Sequence, residues 1–242
     1  MRLSITYQVS RIPIGYRFTI LSLLKEALQL ADKGYYASLY EQNQDRMKPF
    51  STAVYLRDFT YKEQEIYLKS LTITISSFDM AFMLHIFNGL QRLGTYETFG
   101  EEWVRTDIIM LKEAEIHGEH AYFSTLSPIL IENKEGKPVH PFEASYRDEF
   151  SYYAALRIRE LTGREPYRKV NIEPLAMKKT VIRETNSTFR KQGNDHTYLY
   201  FTAYRGQLKL SGHPHDLQLL YQAGVGKRAS QSFGLLEYLR EE

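Results

Sequence analysis

The feature that most restricts the folds open to this chain is a change of hydrophobic period, from two to about 3.6 and back, that recurs in the same order in both halves. Residues 2–9 alternate as a strand, and residues 16–32 carry Ile20, Leu23, Leu24, Ala27, Leu28 and Ala31 at helical spacing until Gly34 stops the run. Two strands follow near 51–57 and 70–76, the second with Leu71, Ile73 and Ile75 alternating with Thr72, Thr74 and Ser76. Asp79 is placed to cap a helix whose Met80, Met83, Leu84, Phe87 and Leu90 form one stripe ahead of Gly94, and a strand around 105–115 closes the set. The second half is predicted to repeat this order, with a strand at 121–131, a helix at 146–162, strands near 175–185 and 197–210, a short helix at 215–223 and a last strand at 232–239. The order βαββαβ, read twice, predicts an α+β chain of two tandem ferredoxin-like (RRM-like) domains, residues 1–118 and 119–242. The boundary is placed near Gly118, and the charged segment 132–145, with Pro138 and Pro141, is the most loop-like internal stretch.

At 242 residues either one large or two ordinary domains can bury a sizeable core, and the absence of cysteine excludes disulfides and thiolate metal sites. No apolar run reaches membrane-spanning length and the amino terminus shows no signal-peptide core, so a cytoplasmic protein with no membrane partner is expected. A formal net charge of +2 is too small for a protein that coats nucleic acid generally, so any nucleic-acid site must be local. The candidate cationic clusters, Lys178-Lys179 with Arg183, Arg190-Lys191, Arg205 and Lys227-Arg228, all fall in the carboxyl half. Tyr198, Tyr200 and Tyr204 share one face of a predicted strand, where they can stack on bases.

Near the carboxyl end, Gly224-Val225-Gly226-Lys227-Arg228 runs through Ala229-Ser230-Gln231 to Ser232-Phe233-Gly234. Glycines let a main chain approach a phosphate closely and turn its N–H groups toward it, and the two cations stand at the same place. Written G-h-G-x₅-G-h-G, with h hydrophobic, the segment fits except at Ser232, which stands where the third glycine belongs. Thr125-Leu126-Ser127-Pro128-Ile129, and Ser38-Leu39-Tyr40-Glu41 followed by Lys48-Pro49-Phe50-Ser51, complete a pattern across nearly the whole chain. That pattern resembles the CRISPR repeat-processing endoribonucleases of the repeat-associated mysterious protein superfamily.

The resemblance implies two ferredoxin-like folds with an RNA-binding cleft between or across their sheets. It also implies cleavage of CRISPR repeat RNA without a metal or other cofactor, by attack of a ribose 2′-hydroxyl that leaves a 2′,3′-cyclic phosphate and a 5′-hydroxyl. The same resemblance makes Gly224, Gly226, Lys227, Arg228, Ser232 and Gly234 RNA-binding candidates, to which the cationic pair Lys178 and Lys179 is added. Many members of the family use a histidine after the first helix, with a helix tyrosine and a nearby lysine. Here Tyr40 stands in the histidine's place, Lys25 in the tyrosine's, and the lysine's part falls to Lys48 or Arg46; counting backward from Pro49 makes Gln42 the alternative to Tyr40.

A free tyrosine titrates at about 10, so roughly one in a thousand is ionised at neutral pH. A cation beside Tyr40 is expected to lower that value and give a slow nuclease whose rate rises toward alkaline pH. The alternative is a member that binds the repeat without cutting it, and a third possibility is a structural subunit of a CRISPR effector complex. A monomer and a homodimer both stay open. His117-Gly118-Glu119-His120 and His213-Pro214-His215 lack further ligands for a metal, Asn186-Ser187-Thr188 is set aside as a glycosylation acceptor, and His85 is read as a packed residue of its helix.

Overall fold

A computed structural model describes residues 1–184 and 198–242. The first half runs β1 (Arg2–Gln8), β2 (Arg11–Pro13), α1 (Arg17–Ala31), α2 (Lys33–Ala37), a π-helical turn (Ser38–Gln42), β3 (Phe50–Arg57), β4 (Thr60–Lys62), β5 (Glu65–Tyr67), β6 (Ser70–Ser77), α3 (Met80–Arg92), β7 (Thr95–Thr98) and β8 (Glu101–Leu111). The second runs β9 (His120–Thr125), α4 (Ala144–Thr162), β10 (Asn171–Glu184), β11 (Leu199–Ser211), α5 (Pro214–Ala223), a 3-10 turn (Ala229–Gln231) and β12 (Leu236–Glu241).

The sheet orders are β3-β6-β1-β8-β7 and β10-β11-β9-β12. In each, the first long strand sits between the third and the fourth, all neighbours antiparallel, which is the ferredoxin-like arrangement expected from the sequence. Leu3, Ile5 and Tyr7 of β1 alternate inward and meet Ile20, Leu23, Leu24, Ala27 and Leu28 of α1 with Phe82, Met83, Ile86 and Leu90 of α3. Phe123, Leu208 and Leu210 do the same for the second sheet against Tyr146, Phe150, Ala154 and Ile158 of α4 and Leu217 and Leu220 of α5. A third, small cluster of Leu130, Ile182, Phe201, Ala203 and Phe233 lies under the carboxyl-terminal glycine segment.

The differences from expectation lie where chain ends meet tertiary partners. Asp32, and not Gly34, ends α1: its N–H closes on Leu28 O at 2.9 Å while its carboxylate accepts from Tyr35 N at 2.8 Å and starts α2, which contains Gly34. The presumed loop after the first helix therefore continues as a π-helical turn through Tyr40. β9 stops at Thr125 and β12 begins only at Leu236, because the N–H groups of Leu126 and Ser127 both turn to Leu235 O, at 2.8 and 3.2 Å. A small sheet, β2-β5-β4, was not foreseen; its strands of three residues are too short to show a period. No helix among the described residues is long and apolar enough to cross a membrane.

The two units meet at the start of α1. Glu184, at the end of β10 and 1% exposed, accepts from Arg17 Nη1 at 3.1 Å, and its second oxygen has no hydrogen-bond partner. Burial pushes this carboxyl up to about 7, against the opposing pull of Arg17 and of the first-turn N–H groups of Arg17 and Phe18. A carboxyl that titrates above its ordinary 4.5 binds more protons folded than unfolded between those values, so its contribution to stability falls as pH rises through that window. Glu184→Gln should therefore gain stability relative to the parent on going from pH 5 to pH 8, on the order of 3 kcal/mol in urea unfolding. An unchanged difference at the two pH values would refute the assignment.

Candidate functional site

The three sequence segments that carry the resemblance converge on one junction. The N–H groups of Val225, Lys227 and Gly234 donate to the carbonyls of Gly234, Leu130 and Pro128, each at 2.9 Å. Leu235 N donates to Ser127 Oγ at 2.9 Å, Ser232 N to Thr52 Oγ1 at 3.0 Å, and the Ser232 and Thr52 hydroxyls lie 2.9 Å apart. A Cβ on Gly234 (φ 67°) would stand 1.8 Å from Val225 O, and one on Gly224 would stand 2.6 Å from Ser51 Cβ. Glycine is thus required because main chain meets main chain and side chain inside the protein.

This corrects the sequence expectation that the loop turns its N–H groups toward a phosphate: Gly224, Gly226, Ser232 and Gly234 are buried, and the donors named above already have acceptors. Ser232, the departure from the glycine pattern, holds a left-handed φ of 61° and is compensated by its bonds to Thr52. Of the two cations, Lys227 is ion-paired with Glu132, and Arg228, exposed, lies over the Phe201 ring at 4.8 Å and bonds Gln231.

Beside this junction runs a cleft of about 490 Å³ between the two units. Arg17, Tyr16, Tyr55, Phe59 and Tyr61 line it from the first, and Thr180, Val181, Arg183, Arg205 and the Leu126-Ser127-Pro128 turn from the second. Tyr55 and Tyr61 are 68% and 65% exposed, which leaves their ring faces available. Lys178 is the register partner of Arg205, whereas Lys179 opposes Tyr204, so adjacent lysines point to opposite faces of β10. Both are exposed. Tyr204 does not join a stacking surface: it is buried beneath His140, their rings 5.3 Å apart. Tyr198 bonds Gln64 and carries Arg183 over its ring at 4.4 Å, and Tyr200 is the exposed member of the expected trio, at 64%. Arg190, Lys191 and Asn186 lie outside the described residues.

The first unit's share of this cleft was missed from sequence, where the cationic clusters all fell in the second half. The signal was present in Tyr55, Phe59, Tyr61 and Tyr67 interleaved with Arg57, Lys62 and Lys69.

A second, smaller cleft of about 230 Å³ opens at the π-helical turn, lined by Tyr35, Ser38, Leu39, Asn43, Arg46, Met47, Lys48 and Asp79. Lys25 Nζ and Lys48 Nζ converge on the Tyr40 ring, at 4.5 and 5.3 Å from its centroid. The cations lie over the ring and do not reach the hydroxyl, which is buried without a hydrogen-bond partner. Burial, followed by the neighbouring Tyr36 and Tyr35, pushes the Tyr40 pKa well above 10. The expected lowering of Tyr40 by a cation is therefore overturned by desolvation.

Lys48 is the group that moves downward, because burial and then Lys25 disfavour its charge. Its Nζ donates to the carbonyls of Asn43, Gln44 and Arg46 at 2.7, 3.2 and 3.0 Å, so the chain winds around its own ammonium. Among the described residues Lys25 and the exposed Arg46 have no carboxylate within ion-pair reach. Gln42 is exposed on the same turn. His85 packs as expected, stacked on Tyr35 at 4.4 Å between centroids. His120 Nδ1 pairs with Ser211 Oγ at 2.9 Å and His213 Nδ1 accepts from His215 N at 3.3 Å. No group of three His, Asp or Glu among the described residues is arranged to hold a metal.

Two ferredoxin-like units locked at a glycine-rich junction, beside a cleft of arginines and aromatic rings, define a double ferredoxin-like protein with a cationic, ring-lined groove. A family model described as CRISPR associated protein Cas6, C-terminal, matches residues 111–238, more than half of the chain. The chain belongs to the Cas6 family.

No curated protein matches the chain as a sequence. Among solved structures, a Cas6-related protein from Pyrococcus furiosus is 20% identical, with 100% of this chain and 99% of that chain covered and a TM-score of 0.83. One described as an RAMP protein binding different RNA substrates is 18% identical over 99% and 100%, with a TM-score of 0.78. A Cas6 product complex is 12% identical over 98% and 99%, with a TM-score of 0.68. At these identities the likeness is one of fold.

The two glycine-pattern positions are expected to respond unequally in chemical denaturation. Gly234→Ala should lose about 2–4 kcal/mol, through overlap and left-handed strain. Ser232→Gly should stay within about 1 kcal/mol of the parent, because relief of strain offsets a lost side-chain hydrogen bond. Equal losses at both would contradict the junction described above.

Proposed function

We propose that this protein is a metal-independent endoribonuclease that binds CRISPR repeat RNA and cuts it by attack of a ribose 2′-hydroxyl on the adjacent phosphate. The observation that carries this reading is the convergence of Lys25 and Lys48 over Tyr40, with Arg46 on the adjoining cleft. The new bond joins the 2′-oxygen to phosphorus and the bond to the 5′-oxygen breaks, leaving a 2′,3′-cyclic phosphate and a 5′-hydroxyl. Lys25 and Arg46 neutralise charge on the phosphorane, and Lys48 releases one loop carbonyl and gives a proton to the departing 5′-oxygen.

Tyr40 packs beneath the two ammonium groups and takes no proton, so water or hydroxide accepts the proton of the 2′-hydroxyl. Loss of a positioned base typically slows such a step by roughly 10²–10⁴-fold, and a slow enzyme follows. The repeat lies in the larger cleft, its bases stacked on Tyr55, Phe59 and Tyr61 and its phosphates against Arg17, Arg183 and Arg205. Lys178 and Arg228 extend that track; Lys179 and Lys227 stand on its margins, and the glycines act by holding the track in shape. On this reading residues 1–118 carry the catalytic turn and residues 119–242 the larger share of the cationic grip, in the cytoplasm.

A second reading, repeat binding without turnover, is favoured by one specific observation: the hydroxyl at the histidine position is buried and unpartnered. Incubation of the pure protein with labelled repeat RNA in EDTA, beside a repeat 2′-deoxy at the scissile nucleotide, separates the two. Cleavage of the ribose substrate alone supports the nuclease; tight binding with neither RNA cut supports the binding protein and makes gain of activity in Tyr40→His the next expectation.

For the nuclease, the rate should rise with pH as hydroxide increases and then fall as Lys48 loses its proton, at a pH below the ordinary lysine value of 10.5. Lys48→Arg, whose guanidinium keeps its charge, should move the falling limb to higher pH. A falling limb that stays where it was would remove Lys48 from the role of acid. Lys25→Ala should lower the cleavage rate about 10²-fold while the EDTA-treated protein still binds the repeat.

A further inference from the structure

Arg157 of α4 is a buried cation. It is 3% exposed, and among the described residues no carboxylate comes within ion-pair reach of it. Its Nη2 donates to the carbonyls of Lys48 and Phe50, each at 3.4 Å, and to that of Ala223; Nη1 meets Met47 Sδ at 3.9 Å, and Nε has no partner. Burial alone pulls its pKa down to about 10, which leaves the guanidinium charged at neutral pH. A buried unpaired charge is costly, and an apolar side chain of similar volume usually fills such a space at less cost. What an apolar side chain lacks is a fork of donors able to hold several carbonyls at once.

The carbonyls that Arg157 gathers come from two segments far apart in sequence. Lys48 and Phe50 bound the entry to β3, directly after the turn that carries Tyr40, and Ala223 ends α5 directly before Gly224. Lys48 is therefore held from both sides: its main-chain carbonyl by Arg157 behind, and its ammonium by the carbonyls of Asn43, Gln44 and Arg46 in front.

We propose that Arg157 is the positioning residue of the cleavage site, fixing the 43–50 segment against the carboxyl-terminal unit so that the ammonium of Lys48 stands where the scissile phosphate arrives. This rests on the nuclease reading above. Arg157 touches neither substrate nor reacting atoms; it acts through Lys48. Displacement of a reacting group by about 1 Å can cost on the order of 10²-fold in rate, so the effect is expected in turnover and not in affinity.

The test uses the full chain and two substitutions. Arg157→Met keeps much of the volume and removes the charge and the donors, and Arg157→Lys keeps a charge and three donors without the fork. Single-turnover cleavage of labelled repeat RNA is followed over a range of protein concentrations, and limited trypsin digestion reads the bond after Arg46 on the same proteins. Arg157→Met should cleave about 10²-fold more slowly with its half-saturating concentration within about threefold of the parent, and Arg157→Lys should recover about tenfold of that loss. Trypsin should cut after Arg46 faster in Arg157→Met, with cutting elsewhere unchanged.

Parental rates in both variants with unchanged cutting at Arg46 would overturn the proposal. So would a joint fall of rate and affinity accompanied by faster cutting throughout the chain, which would mark Arg157 as a general stabiliser. If Arg157→Met does not fold, Arg157→Lys decides alone: slower turnover at parental affinity supports the proposal, and a parental rate overturns it. Absence of cleavage by the parent would sink the nuclease reading, and the trypsin result would then decide by itself whether Arg157 holds the segment.

Discussion

The rest of the structure depends on one seam, where the start of β3 meets the glycine-rich segment from the far end of the chain. Thr52 and Ser232 share a buried pair of hydrogen bonds, Gly224 lies against Ser51 closely enough to exclude a Cβ, and the Leu126-Ser127-Pro128 turn receives Gly234 and Leu235. Because main-chain donors and acceptors buried away from water must be paired, each of these contacts fixes the next. The seam joins the two units beside the cleft that Arg17, Arg183 and Arg205 line.

Desolvation decides the electrostatics around that seam more than pairing does. Tyr40 sits beneath two ammonium groups and is still driven to a higher pKa, because its hydroxyl is buried while the cations face its ring. Glu184 keeps an arginine partner and is nevertheless raised, and Arg157 is lowered by burial alone. Lys48 combines both causes, burial and a neighbouring lysine, and its pKa is lowered.

Most long elements were legible because each carries a full period of its own, but on α3 the stripe was misread: Met80 and Leu84 are exposed, and Phe82 and Ile86 are buried in their place. The stripe Ile20, Leu23, Leu24, Ala27 and Leu28, and the alternation of Leu71, Ile73 and Ile75, are one-sided patterns that only a sheet with helices on one face can bury. The Asp79 cap was legible for the same local reason: its carboxylate accepts from Ala81 and Phe82, two and three residues on. The three-residue strands of the small sheet, the π-helical turn through Tyr40 and the late start of β12 were not, since each is imposed by a partner far along the chain. Within the site, Lys25, Tyr40 and Lys48 were brought together by the family resemblance, since spacing alone does not relate a residue of α1 to the turn after α2 and the loop beyond it. The aromatic wall of Tyr55, Phe59 and Tyr61 went unread because its meaning depends on the second unit standing opposite.

Period, capping and glycine placement act over a few residues, so local sequence was enough for the order of strands and helices and the ferredoxin-like class of both units. Tertiary structure alone decided how the glycine-rich segment and the turn at Tyr40 are paired and buried. Whether the N–H groups of residues 225–235 face an anion or the protein, and whether Tyr40 is eased toward or away from ionisation, depends on acceptors and burial contributed by distant residues. Thr52 and Ser232, the pair that closes the seam, are 180 residues apart, and no local pattern carries information over that distance.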